Sequence, residues 1–358
     1  MAIRDDTDFT AEFDALRALS ARVGGDPLLV QAAGGNTSIK RDGTLWIKAS
    51  GTWLANALSD DIFVPVAMTP LLDCVEKDDP AAEKAQSFVI AAENPSGLRP
   101  SIETTVHSAM PQRIVVHVHC VDTIAVAVRR EAEAILEQRL KGMNWAFVPY
   151  ARPGLPLAHA IRKRLRPGID VLVLGNHGLV VAAETVADAA ALLERVCARL
   201  GQPRREAPPA DEKALKDLAA GSGYRLPQMA EAHTVATDGQ SCRIAAGGSL
   251  YPDHVIFLGP GSVVAGEGET AADIAAAAKA AGLPEPASIL FPGKGVVMRE
   301  DASAGAEALA RCLADVTARM GEDARPRYLS EEENAELLDW DAEKYRQMLD
   351  SRAAAGRT

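Results

Sequence analysis

The spacing of apolar and polar residues predicts a chain of alternating helices and strands. Phe13, Leu16, Leu19 and Val23 recur at the three- and four-residue interval of an amphipathic helix over residues 8–24. Residues 28–33 predict a short strand leading into Gly34-Gly-Asn-Thr-Ser38, and residues 44–49 predict its partner, ended by Ser50-Gly51. Residues 73–92 are charged, Ala-rich and helically spaced, until Asn94-Pro-Ser-Gly-Leu-Arg-Pro100 breaks the pattern. The β-branched run Ile114, Val115, Val116, Val118 predicts a strand, because Pro111 and Gln112 stop any helix arriving from upstream. A helix over 125–139, a strand over 146–150, the turn Tyr150-Ala-Arg-Pro-Gly154 and a helix over 157–165 follow. Two apolar runs around Gly175-Asn-His-Gly178 predict a hairpin, and residues 185–200 a closing helix.

Beyond that helix the rhythm changes. Residues 202–222 are rich in Pro, Ala and charge and predict a linker. An α/β pattern then resumes, with a strand expected at 254–258, a helix at 271–281 and a strand at 288–291. Ile289-Leu-Phe-Pro-Gly-Lys-Gly-Val-Val-Met298 parallels Leu172-Val-Leu-Gly-Asn-His-Gly-Leu-Val-Val181, with Lys294 standing where His177 does. If this is a degenerate repeat, the second copy lacks the histidine. Ser330 and Glu333 form a capping-box signature that opens a helical tail. The expected organisation is a first domain over 1–201, a linker over 202–222, an α/β extension over 223–322 and the tail over 323–358.

Length and charge narrow the classes. The 358 residues fit about two domains, and 47% hydrophobic residues suffice for a sizeable core. A formal charge of -11 without a Lys/Arg cluster argues against nucleic acid and anionic membranes as partners. The N-terminal residues lack the apolar segment of a secretory signal, and no apolar run is long enough for a membrane span, so a cytoplasmic location is expected. Cys74, Cys120, Cys197, Cys242 and Cys312 are scattered, which reads as free thiols in a reducing compartment. Cys120 faces away from its neighbour His119 and reads as core.

The chemistry centres on residues 100–128. Strand side chains alternate, so His117 and His119 project to one face as a bidentate clamp. Ser101 is placed to cap a helix whose first turn holds Glu103, where the helix dipole favours the carboxylate. A lone His-x-His is a weak motif, and His177 in its Gly-bracketed turn strengthens it. Three imidazoles leave a fourth position open, as catalytic zinc sites require. In the Gly34–Ser38 loop, Gly35, Asn36 and Ser38 offer close backbone approach and side-chain donors to an anion, as do Ser50 and Gly51. Read alone, a Gly-Asn turn is ordinary. Lys48 reads equally as a counter-charge or an exposed strand residue, and His159 as a surface or outer residue.

Ala33-Gly-Gly-Asn-Thr-Ser-Ile-Lys40, Ile47-Lys-Ala-Ser-Gly51, Pro100-Ser-Ile-Glu103, His107, His117-Val-His119, Tyr150-Ala-Arg-Pro-Gly154 and Asn176-His-Gly-Leu179 stand in one order. In that order they resemble the class II aldolase/adducin family, over roughly residues 10–200. The resemblance implies an α/β/α three-layer fold around a mainly antiparallel sheet, with a smaller C-terminal α/β extension here. It implies zinc, or Mn2+, Co2+ or Fe2+, on His117, His119 and His177, with Glu103 as the proton shuttle. Phosphate would sit on Gly35, Asn36, Ser38, Ser50, Gly51 and Ser101, although Ile102 replaces a serine the family often uses. The implied reaction is reversible aldol cleavage of a ketose phosphate, in a homo-oligomer of four subunits by resemblance. With the tail included, the chain looks like the aldolase part of bifunctional rhamnulose-1-phosphate aldolase/dehydrogenase proteins. No Gly-x-Gly-x-x-Gly follows a strand, so no nicotinamide is expected. The same scaffold also serves 4-epimerases, dehydratases and decarboxylases. A non-catalytic adducin-like domain would be expected to lose the ligands, and all three are present.

Overall fold

The computed structural model describes residues 2–340, with side chains from residue 8 onward. The chain divides into two compact units, one built from residues up to 123 with 133–201, the other from 124–132 with the residues after 201.

The first unit is organised by a seven-stranded sheet. In chain order its elements are α1 (Ala2–Gly24), β1 (Asn36–Arg41), β2 (Thr44–Lys48), β3 (Phe63–Ala67), α2 (Met68–Glu76), α3 (Thr104–Ala109) and β4 (Ile114–Val118). Helix α4 (Val121–Ala127) runs into the second unit, and the first resumes with α5 (Ala132–Arg139), β5 (Trp145–Val148), α6 (Leu155–Arg164), β6 (Val171–Leu174), β7 (Gly178–Ala183) and α7 (Val186–Leu200). The sheet order is β3-β2-β1-β4-β7-β6-β5. Every pairing is antiparallel except β5 with β6.

Register assigns the two faces. Asn36 pairs with His117, Ser38 with Val115, and His117 with Val180, so these side chains share one face. Helices α3 and α6 cover that face through Val106, Met110, Leu157 and Ile161, packed on Val115, Leu172 and Val180. Thr37 and Val116 point the other way, and there Ser20 of α1 bonds Thr37 at 2.6 Å. Helix α7 packs with α1 and completes the three layers.

Several sequence expectations shift, each for a local reason. Residues 28–33 form turns instead of a strand, because Asp26 takes the Leu28 amide on its side chain and the Leu29 and Val30 amides on its carbonyl. The helix expected over 73–92 is α2 followed by three short 3₁₀ turns between Pro80 and Glu93. Asp78 in the left-handed region and Pro80 just after it stop the helix. The helix over 125–139 breaks between α4 and α5, where Arg130 and Val128 bond the main chain of Arg325 and Arg327 instead.

In the second unit the elements are α8 (Glu212–Ala219), β8 (Tyr224–Arg225), α9 (Thr234–Thr237), α10 (Gly239–Ala246), α11 (Pro252–Leu258), β9 (Val263–Val264), α12 (Ala271–Ala280), β10 (Ser288–Phe291), β11 (Gly295–Arg299), α13 (Ala304–Thr317) and α14 (Glu331–Asp339). The stretch read as a linker thus contains α8, whose buried Leu215 joins a core with Ile289 and Val297. The strand expected at 254–258 is helix α11, since Pro252 stands at a first-turn position where its fixed φ starts a helix. The capping box at Ser330 and Glu333 forms and opens α14. The rest of the expected tail, 341–358, lies outside the described residues.

The sheet of this unit runs β8-β11-β10-β9. It repeats the β4-β7-β6-β5 half of the first sheet. Strand β10 begins 288 − 171 = 117 residues after β6. The same offset carries the Leu174–Gly178 pair onto Phe291–Gly295, and the parallel pairing of Ala146 with Leu172 onto Val263 with Ile289. Helices α12 and α13 fall where α6 and α7 are expected by that offset, within one residue. Even the left-handed turn residue is kept, as Asn176 (φ 54) in the first hairpin and Gly293 (φ 73) in the second.

Candidate metal centre

Four groups converge on the covered face of the first sheet. His117 projects from β4, His119 from the residue just past that strand, and His177 from the β6–β7 turn. Glu103 stands at the N-cap position of α3, rather than inside the first turn as the sequence suggested. Ser101 Oγ accepts the Glu103 amide at 3.1 Å, and the Ser101 carbonyl accepts the Thr104 amide, so the chain turns tightly there and aims the carboxylate inward.

One ligand atom from each group lies within 4.8 Å of every other. His117 Nε2 is 3.2 Å from His119 Nε2 and 3.3 Å from Glu103 Oε2, and His177 Nε2 is 3.4 Å from Glu103 Oε1. His117 Nδ1 donates to the Leu179 carbonyl at 3.0 Å, so its neutral ring presents a lone pair at Nε2. Glu103 Oε1 is buried with no hydrogen-bond donor among the described residues. Ligand atoms about 2.1 Å from a tetrahedral ion sit roughly 3.4 Å from one another, so these three separations fit one divalent cation. The donor set, three imidazoles and a carboxylate, suits such an ion.

Around the cluster, the environment fixes protonation. Burial works to raise the Glu103 carboxyl, but His117, His177, His119 and His107 together outweigh it and hold it down at about 2. Asn36 Nδ2 donates to Glu103 Oε2 at 2.7 Å and locks that oxygen. Burial drives the His107 imidazole down to about 3, with His117 adding to the effect, so the ring is neutral. Its Nδ1 bonds Ser38 Oγ at 2.7 Å.

The anion-loop residues divide. Asn36 and Ser38, expected to face an anion, spend their side chains on Glu103 and His107. Ser50 and Ser101 are brought together by the bridge between Ala49 and Pro100, and Ser50 Oγ is buried without a hydrogen-bond partner among the described residues. Gly35 and Gly51 both have positive φ, 62° and 76°. Lys48 is buried, and its Nζ donates to the Ala33 carbonyl at 2.8 Å. His159 lies apart, 3.3 Å from Asp78. Sequence reasoning assigned no role to His107, although its place four residues after Glu103 on one helix face was a usable signal.

The first unit thus joins a mainly antiparallel sheet to a buried three-His, one-Glu cluster able to hold a divalent metal. The chain belongs to the class II aldolase and adducin N-terminal domain family, whose profile matches residues 16–199. An N-terminal class II aldolase domain of a conserved protein from Thermoplasma acidophilum is similar at 26% identity, over 53% of this chain and 92% of that one, with a TM-score of 0.47. The L-fuculose-1-phosphate aldolase of Thermus thermophilus is similar at 20% identity, over 52% and 92%, with a TM-score of 0.33. A curated relative, the uncharacterized oxidoreductase YuxG of Bacillus subtilis (strain 168), is 28% identical over 178 residues. That match takes in 46% of this chain and only 25% of the relative's length. Among the described residues no helix is long and apolar enough to cross a membrane.

Proposed function

We propose that the first unit is a zinc-dependent lyase that cleaves a ketose phosphate reversibly by the aldol route, with a substrate of the rhamnulose-1-phosphate or fuculose-1-phosphate type. The observation that carries this reading is a buried carboxylate locked by Asn36 against three imidazoles. When bound there, the cation supplies Lewis-acid polarisation of substrate oxygens.

The chain's own residues supply the rest. Glu103 is ionised at neutral pH, and with Oε2 held by Asn36, Oε1 is the atom left to take and return the substrate proton. Neutral His107 fixes Ser38 behind it. Burial of the cluster keeps bulk water from protonating a carbanionic fragment. The substrate's phosphate would meet Ser50, Ser101 and the backbone of Gly35 and Gly51, with Lys48 as a buried counter-charge.

A retro-aldol assay tests the reading directly. Metal-loaded protein is incubated with both 1-phosphates and with the free ketoses, and dihydroxyacetone phosphate is quantified. Cleavage of a phosphorylated ketose, lost on chelation and restored by zinc, supports the proposal. Turnover only by epimerisation, dehydration or decarboxylation would replace it with one of those reactions. A parallel arm with NAD+ reads the oxidoreductase activity in the relative's name.

A further inference from the structure

We propose that Cys120 and Cys197 form a peroxide-driven, reversible disulfide that weakens the neighbouring metal centre. The coupling to metal rests on the reading above, whereas the covalent step does not. The Cys197 thiol donates toward Cys120 Sγ at 3.8 Å, across 77 residues of sequence. Cys120 is buried and Cys197 is half-buried, so only Cys197 is open to a small oxidant.

The position of Cys120 gives the bond its consequence. It is the residue immediately after His119, and its sulfur lies toward Cys197 of α7 while His119 points into the centre. The backbone here is tied on both sides, with Gln31 Nε2 donating to the His119 carbonyl at 3.3 Å and the Val121 amide donating to the Leu28 carbonyl at 2.9 Å. Closing the sulfurs from 3.8 Å to the roughly 2.05 Å of a disulfide therefore pulls on a short, pinned segment one peptide from a ligand. The closed loop also contains His177, and His119 adjoins its first residue.

The chemistry balances with peroxide as the two-electron oxidant. Cys197 sulfur displaces hydroxide from the peroxide O–O bond, giving a sulfenic acid and one water. Cys120 sulfur, giving up its proton, then attacks the Cys197 sulfur; the S–S bond forms, the S–O bond breaks, and the departing hydroxide takes that proton as a second water. A thiol reductant reverses the bond by exchange.

The test uses the full chain in metal-free and zinc-loaded forms, treated with stoichiometric hydrogen peroxide. The expected result is a loss of two mass units, a Cys120–Cys197 cross-linked peptide, and a fall from five titratable thiols to three, in both forms. Cys197→Ser and, separately, Cys120→Ala should abolish the cross-link. Zinc affinity, read by competition with a chromogenic chelator, should fall about tenfold to a hundredfold on oxidation and recover with dithiothreitol. Stable oxygen addition to Cys197 alone, or a cross-link through Cys74, Cys242 or Cys312, overturns the proposal. Equal zinc affinity in reduced and oxidised protein overturns the coupling. Absence of zinc binding in the reduced protein removes the metal reading, and the coupling with it, while the mass data still decide the bond.

Discussion

The β6–β7 and β10–β11 hairpins are the same backbone put to two uses. Both turns place a left-handed residue before the key side chain, and both follow it with a glycine that lets an imidazole approach. A Cβ on Gly178 would meet the Val118 carbonyl oxygen at 2.5 Å and the His117 and His119 rings at 3.4 Å. On Gly295 it would meet His233 Nδ1 at 2.7 Å. The difference lies in what the imidazole does next. In the second unit His233 Nδ1 accepts the Val296 amide at 3.1 Å and serves the main chain, while in the first the rings turn ligand atoms toward a shared point. Keeping a fold and keeping a site are therefore separable demands on one motif.

Truncating the equivalent side chain in each turn separates the two roles. His177→Ala should weaken zinc binding by more than the about hundredfold that loss of an outer partner costs, and abolish turnover. Lys294→Ala should leave both unchanged, and zinc titration of the two variants reads the contrast. Equal zinc affinity in His177→Ala and the parent chain would sink the metal assignment. Next in size, Glu103→Gln should retain metal and fold but lose about a hundredfold to ten-thousandfold in kcat. An unchanged rate would reduce Glu103 to a helix-start residue.

The glycines behind each turn are equally intolerant of a side chain. Gly178→Ala and Gly295→Ala should each cost about 1–3 kcal/mol of stability by denaturant titration, since neither added methyl has room. Only Gly178→Ala should also lower zinc content. The smallest effect is in pH. Burial lowers His107 to about 3 in the first unit and His254 to about 4 in the second, so the unfolded chain binds more protons below about 6.5. Metal-free stability should accordingly fall as pH drops from 6.5 toward those values, by about 1.4 kcal/mol per pH unit for each imidazole. Glu103, held near 2, adds a loss in the same direction as pH falls below about 4.5. Zinc should steepen the first unit's share, because its imidazole ligands must be deprotonated to hold the ion, and His254→Asn should remove only the second's.

Much of this was legible in the sequence because periodicity reports local geometry. Strand alternation put His117 and His119 on one side, and the Gly-bracketed turn delivered His177. The hairpin repeat was visible as matched apolar runs around different turn residues. What remained hidden depends on contacts between distant segments. Asn36 reads as a loop donor until the β1–β4 register sets it opposite His117, beside Glu103. Lys48 reads equally as a counter-charge or an exposed strand residue until the fold buries it with its Nζ on the Ala33 carbonyl. Helix α11 reads as a strand because its buried run Val255, Ile256, Phe257 is apolar on every side, which erases the helical period.

The register of β4 also bears on when the centre comes into being. His117 pairs across to Val180, 63 residues later, and to Asn36, 81 residues earlier. Contacts of such separation form late, because loop closure must be met before they reward the chain. An unfolded or half-made chain offers a cation only the adjacent His117 and His119. The four groups meet only once α3 and the β6–β7 turn pack against β4, so any cation that needs all four would report that this half of the sheet has been assembled correctly.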